Sequence, residues 1–395
     1  MRLIPPAIAL ATAAALAALS GACGGGGESG LGPSGGTPAA AIDNNDLRNA
    51  LSHGTCSGTG VVRYAASPMN VADIGAFIPL GLMIGGHVTP IDHQYLVPLD
   101  IGAGRTHYNV YAPFAGHIVQ IQPRVKQAGD PGTAPVGTVD YRIVFEGSCT
   151  FWVYYDLVTQ LEPALLAAGG SALAANQSVN VRIAVTPRQL IGRVGSQTLD
   201  LGTINSEITL PGFIVPAHYD PAKNHSMDAL DYFDEPLRSQ LLALNRRTAP
   251  PRGGRLDYDL DGKASGNWFL LGTNGYSGTA NGNGAYWSGH LSLAYGHIDP
   301  ALVIISMGFT DGSSQQWAVK GNAPDPATVD AASGLVKYEV MRAAGDSVRT
   351  NLNGAVSGVV LVQVLPGRQL RVEYFPGVTG AELNGFSASA RTYER

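Results

Sequence analysis

From residue 61 onward the chain breaks into short apolar runs separated by Gly, Pro and Asp. Runs of this length bounded by turn residues predict strands. Residues 106–112 alternate polar and apolar positions, and 117–121 follow the turn Pro113-Phe114-Ala115-Gly116. Residues 141–145 and 150–155 flank Glu146-Gly147-Ser148, a hairpin signal. Further strands are predicted at 179–185 and 189–194, with an extended stretch at 204–215. Residues 157–175 carry Leu161, Leu165, Leu166 and many Ala, and predict a helix. Met227, Leu230, Phe233, Leu237, Leu241 and Leu244 recur at three- and four-residue spacing, so 224–247 predicts an amphipathic helix broken at Pro236. Two Pro and two Gly mark 248–254 as a linker. Beyond it, strands are predicted at 268–271, 290–295, 302–307, 335–341, 359–365 and 370–374, with a Gly/Asn-rich loop at 272–289. The pattern is mostly β in two units, 44–247 and 255–395, with no clear repeat linking them.

Composition sharpens this picture. The 395 residues are 14% charged, well below the usual ~25%. Low charge with 51 Gly and 25 Pro suits turn-rich β structure outside the cytosol. The net charge of -5, with no Lys/Arg cluster, excludes a nucleic-acid binder, which needs a basic face. An apolar content of 45% is too high for a disordered chain.

The N-terminus begins with Arg2 and an apolar run over residues 3–19, then Ser20-Gly21-Ala22-Cys23. A basic start, an apolar core and small residues before a cleavage point make a secretory signal over residues 1–22. Leu19-Ser20-Gly21-Ala22-Cys23 resembles a bacterial lipobox, with Ser20 standing where an aliphatic residue is usual. It implies acylation at Cys23 and anchoring to a bacterial membrane. The Gly/Ser-rich stretch that follows, to about residue 43, reads as a flexible tether. With Cys23 lipidated, Cys56 and Cys149 remain as a pair that an oxidising compartment permits to form a disulfide.

Four places could carry chemistry. Residues 85–93 hold His87, Asp92 and His93 in a Gly/Pro turn, and His and Asp are good zinc ligands. A solvated turn with hydrogen-bonded imidazoles is the plainer alternative. Asp156 ends the apolar run Tyr154-Tyr155, where it could orient a base or cap the following helix. Alternation puts Thr198 and Asp200 on one strand face, with Leu199 and Leu201 on the other. Asp257, Asp259, Asp261 and Gly262 match the first half of a calcium loop. Position twelve of that loop is Trp268 instead of Glu, so an EF-hand is rejected. A plain Asp/Gly turn and a non-EF calcium turn remain open. Starting motifs for P-loop nucleotide sites, H-E-x-x-H peptidases and C-x-x-C sites are absent from the sequence.

The order of these segments resembles the lysostaphin/LytM-type peptidoglycan metalloendopeptidases. Those enzymes carry H-x-x-x-D, an A-P-x-x-G-x-V turn, a Y-A-H-L strand end, a G-x-x-I-G-x-x-G turn and a final H-x-H strand. This chain has His87 and Asp92, then Ala112-Pro113-Phe114-Ala115-Gly116-His117-Ile118, Tyr154-Tyr155-Asp156-Leu157, Leu190-Ile191-Gly192-Arg193-Val194-Gly195, and Thr198-Leu199-Asp200. The resemblance covers about a third of the chain. It implies that family's β-sheet fold, a metal position at His87, Asp92 and Asp200, and catalytic positions at Asp156 and Thr198. His87 and Asp92 are four residues apart rather than three. Asp156 stands for the Y-A-H-L histidine, and Thr198 and Asp200 for the two of H-x-H. Two carboxylates on one ion would weaken its Lewis acidity, and Thr198 cannot act as an imidazolium.

The expected protein is an extracytoplasmic lipoprotein with a degenerate peptidase-like domain that binds or regulates, its partner being peptidoglycan or an envelope protein. The alternatives are an active zinc endopeptidase with altered ligands and a structural module without a ligand. In the second unit, Trp268, Phe269, Tyr286 and Trp287 flank a polar loop, where aromatics either stack on sugars or complete a β core.

Overall fold

The computed structural model describes residues 44–127, 134–278, 286–321, 323–343 and 355–395. The signal segment, Cys23 and the tether lie outside the described residues.

The chain is mostly β. Its first sheet has seven antiparallel strands in the order β1-β2-β10-β6-β5-β4-β8. These are β1 (Ile74–Ile78), β2 (Gln94–Pro98), β4 (Gly116–Val125), β5 (Val139–Ser148), β6 (Phe151–Val158), β8 (Val179–Val185) and β10 (Leu199–Asn205). A small second sheet joins β3 (Tyr108–Tyr111), β9 (Leu190–Val194) and β7 (Gln160–Leu161), in the order β3-β9-β7. Strand alternation divides the residues between two faces. Phe151, Val153 and Tyr155 of β6, with Leu199 and Leu201 of β10, enter the main core, which also holds Val110, Ile191 and Val194 of the small sheet. Trp152, Tyr154 and Ile204 point the other way, under helix α1 (Asn44–Ser52), whose Leu47 and Leu51 cover them. Trp152 Nε1 donates to Ser52 Oγ at 2.7 Å.

Two helical expectations contract. The predicted helix at 157–175 begins instead at Pro163, as α2 (Pro163–Ala174), because the chain stays extended through β6 and β7. Pro is well placed in a first helical turn. The predicted helix at 224–247 becomes 3-10 turns at Lys223–His225 and Ala229–Asp231, then α3 (Leu237–Leu244). Asp228 caps the second turn by accepting from Leu230 N, and Pro236 ends any earlier helix. The extended stretch at 204–215 holds strand only to Asn205. The strands at 74–78 and 94–98 were not expected from periodicity. Both are almost wholly buried and show no polar alternation.

The second unit is a closed barrel of eight strands in sequence order: β11 (Gly266–Leu270), β12 (His290–Tyr295), β13 (Val303–Gly308), β14 (Ser314–Val319), β15 (Val336–Arg342), β16 (Gly358–Leu365), β17 (Gln369–Pro376) and β18 (Arg391–Glu394). Strand β18 closes on β11, which removes free edges. Inward residues such as Trp268, Leu291, Ile305, Trp317, Tyr338, Val362 and Tyr393 fill the interior. Eight strands enclose a space that side chains can fill. Trp268 and Phe269 are therefore core residues rather than sugar platforms.

The predicted linker 248–254 is tied down. Arg247 is fully buried and makes no ion pair among the described residues, although the charge of Asp299 reaches it. Its guanidinium donates to the carbonyls of Ala249, Pro250 and Pro251 in the linker and of Gly296 and His297 in the barrel. Leu80, Phe213, Leu256 and Phe269 pack together across the same junction.

Cys56 and Cys149 are disulfide-bonded, with Cα atoms 5.1 Å apart and a separation of 93 positions in sequence. The bond ties the segment after α1 to the hairpin β5–β6. Two outcomes are expected. Alkylation of the unreduced protein should find no free thiol at either position, and Cys56→Ala should cost about 2–4 kcal/mol in denaturant unfolding, the usual range for closing a long loop. Arg247→Ala strands five carbonyls and should cost about 3 kcal/mol or more by the same measurement. A loss near zero would mean that water or a neighbour takes the guanidinium's place.

Candidate functional site

The site sits on the α1 face of the large sheet, beside the helix, where three central strands meet. Strand β10 pairs with β2 on one side and β6 on the other. That register places Asp200 directly opposite Tyr95 and opposite Asp156. His93 lies just before β2, two residues from Tyr95. The strand order thus gathers segments that are far apart in sequence.

His93 is the hub. Its Nδ1 lies 3.0 Å from Asp92 Oδ1 and 3.3 Å from Tyr154 Oη. Its Nε2 lies 3.1 Å from Tyr95 Oη and 3.5 Å from Asp200 Oδ2. When both nitrogens carry protons, the ring donates toward a carboxylate on each side. The His87 ring meets it edge-on, with centroids 5.9 Å apart. Thr198 Oγ1 donates to Asp200 Oδ1 at 3.1 Å, as the shared strand face predicts. Gly202 is needed here. A Cβ at this position would lie about 2.0 Å from the Tyr154 ring, so only glycine lets that ring lie across β10 toward His93.

Asp156 belongs to a second, adjoining group. Arg142 donates to its Oδ2 from Nε at 2.7 Å, and Nη2 stands at 2.6 Å from the same oxygen. Arg124 Nη2 approaches at 3.4 Å, and the Leu157 N–H donates to Oδ1. The expectation that Asp156 caps the next helix is corrected: α2 starts after Glu162, and Asp156 is spent on two guanidinium groups. Lys223, almost fully buried, donates to the Pro90 carbonyl at 2.8 Å and lies 4.9 Å from the Tyr276 ring centroid.

The charges follow from this packing. Burial alone would raise Asp92, but Lys223 and His93 hold it well below the usual carboxylate range. Burial would likewise raise Asp156, and Arg142 and Arg124 hold it far down. Burial pushes Asp200 up to about 7; His93 pulls it back and the charge of Asp156 adds to the rise. Burial pulls His93 down, yet the hydrogen bond to Asp92 and the charges of Asp200 and Asp92 carry it above its ordinary value. Burial and the neighbouring His93 lower His87 to about 3, so it is neutral.

Of the residues predicted from sequence, His87, Asp92, Asp156, Thr198 and Asp200 come together on one face. They do not converge as a ligand set. Asp92 and Asp200 face opposite nitrogens of one imidazole, and Lys223 already supplies positive charge beside Asp92. Among the described residues, no group of three His, Cys, Asp or Glu side chains has the arrangement of a metal site. In this arrangement His93, rather than an ion, lies between Asp92 and Asp200. His93 lay in the candidate turn at 85–93; Tyr95, Tyr154, Arg142, Arg124 and Lys223 completed the site without being singled out. For Tyr95 the signal was available, because alternation from His93 places the two on one face. Lys223 carries no local signal. In the Asp257–Asp261 turn the carboxylates have partners within the protein: Asp257 accepts from Gly212 N and Arg255, Asp259 from Asn267 N and Tyr219 Oη, and Asp261 from Arg368.

Comparison with protein-family models, with curated proteins and with solved structures finds no match.

Asp200 titrates between an unfolded value near 3.8 and a folded value of about 7. Its folded form holds the proton longer, so its contribution to stability is full below about pH 4 and is lost as pH rises through 7. His93 is raised as well and acts in the same direction. Asp92 and Asp156 act oppositely, and their contribution disappears in strong acid. Asp200→Asn removes the Asp200 loss. Relative to the native protein, its unfolding free energy should rise steadily from pH 4 to pH 7. A difference that stays flat across that window in urea titrations would show that Asp200 ionises normally.

Proposed function

We propose that the chain is a lipid-anchored, extracytoplasmic binding protein. Its first unit is read as a degenerate lysostaphin/LytM-like domain, and its ligand as peptidoglycan or an envelope protein. The lipobox-like Leu19–Cys23 segment and the tether after it support the location. The order of motifs over Gly85–Leu201 supports the family reading, because the strand ends bearing Asp156 and Asp200 lie side by side.

One observation carries the choice of binding over catalysis: the site's charges are paired within the protein. Metal-assisted hydrolysis requires an ion with an open coordination position and a water made acidic by it. Here His93 stands between the two carboxylates that would share the ion, and Arg142, Arg124 and Lys223 neutralise the rest. An imidazole held between Asp92 and Asp200 has both nitrogens engaged within the protein. It lacks the means to turn an amide over. The zinc endopeptidase alternative requires His87, Asp92 and Asp200 to meet on one ion, which would demand expelling His93.

The test is elemental analysis of the purified protein together with incubation on isolated peptidoglycan sacculi. We expect less than stoichiometric zinc, and co-sedimentation with sacculi or with a cross-linked envelope protein, without release of soluble fragments. Stoichiometric zinc that is lost in His87→Ala, accompanied by fragment release, would establish the peptidase instead.

A further inference from the structure

The barrel has two unlike ends. At the end where the chain enters and leaves, Arg395 forms a plug. Its guanidinium lies 3.7 Å over the Trp268 ring, and donates to the carbonyls of Ser265 at 2.7 Å and Lys263 at 2.6 Å. Asp259, also buried, stands 3.6 Å from it. The interior above is filled by side chains. At the opposite end the packing stops short, and a cavity of about 410 Å³ opens. That volume falls within the range of small-molecule sites, roughly 300–1,000 Å³.

The lining of this mouth is specific. The Trp317 and Tyr374 rings pack with centroids 4.3 Å apart and a 38° tilt between them, and Phe309 stands perpendicular to Trp317 at 6.3 Å. Tyr374 Oη donates to the Ser357 carbonyl at 3.1 Å, which fixes that ring. Arg342 is directly opposite Trp317 in the β14–β15 register and follows Val336, Tyr338 and Val340 on the inward face. Its backbone N–H donates to Ser357 Oγ. Its exposed guanidinium makes no ion pair among the described residues. Asp311 also lines the mouth, and its Oδ1 accepts from the N–H and hydroxyl of Ser313.

We propose that this mouth binds a small, flat organic carboxylate of one or two rings. The ring lies against Tyr374 and Phe309, with its edge toward Trp317. The carboxylate takes the two parallel N–H groups of Arg342. Aromatic walls favour a planar body, and a planar guanidinium matches a carboxylate in a two-bond fork. The filled interior limits the ligand to the mouth, which sets its size. This site is separate from the His93 cluster, and its occupancy does not depend on the function proposed for that cluster.

The probe is 2-naphthoate, titrated into the full chain while tryptophan fluorescence is followed, with calorimetry for stoichiometry. One molecule should bind per chain and quench part of the emission. Trp317→Phe should abolish that quenching while calorimetry still reports binding. Arg342→Gln, at an exposed position, should fold normally and weaken binding about tenfold, the worth of one charge-assisted contact. The neutral 2-naphthamide should bind the native protein about as weakly as 2-naphthoate binds Arg342→Gln. Absence of saturation by about 1 mM, near -4 kcal/mol of binding free energy, would overturn the site. Equal affinity of the native and Arg342→Gln proteins would overturn the assignment of a carboxylate, and quenching that persists in Trp317→Phe would place the ligand elsewhere.

Discussion

A carboxylate taken out of water must keep a proton or acquire a positive partner. That constraint organises the central sheet face, where Asp92, Asp156 and Asp200 lie together with little access to solvent. Each meets the demand differently. Asp156 takes two guanidinium groups, Asp92 takes His93 and the field of Lys223, and Asp200 retains its own proton into the neutral range. The three solutions depend on one another, because His93 serves two of the acids and the charge of Asp156 is felt by Asp200. Removing any member changes the protonation of the others. The arrangement is a closed electrostatic circuit.

Much of this was legible in the sequence. Alternation placed Thr198 and Asp200 on one face, and the turns at Pro113–Gly116 and Gly147 bounded strands that do form. The even pair of cysteines was correctly joined. What escaped was non-local. Strands β1 and β2 are buried on both faces, so no alternation marks them. Lys223 reaches the cluster from a 3-10 turn, and its buried ammonium lies 2.8 Å from the carbonyl of a proline 133 residues earlier. Nothing near it in the chain announces that position. The helix expected at 224–247 failed for a local reason. Its apolar spacing is real, but Asp228 and Pro236 divide it into turns that use the same residues to cover the sheet.

The barrel shows how one residue type can close a fold at one end and open it at the other. Arg395 is buried, stacked and bonded to carbonyls, and serves as structure. Arg342 shares the inward face but ends its strand in solvent, so its charge stays available.

The two units also hold each other. Ser314 and Gln316 of the barrel donate to the Gly85 carbonyl, and the Trp287 ring lies over Gly86, where a Cβ would come within about 3.0 Å of it. These contacts fall on the two residues immediately before His87. With Arg247 gripping carbonyls on both sides of the junction, the halves are not exchangeable modules. A chain cut there would lose the surface that each half uses as its inner wall. Any rearrangement that transplanted the barrel onto another partner would have to supply a new set of carbonyls for one arginine and a new floor for one tryptophan.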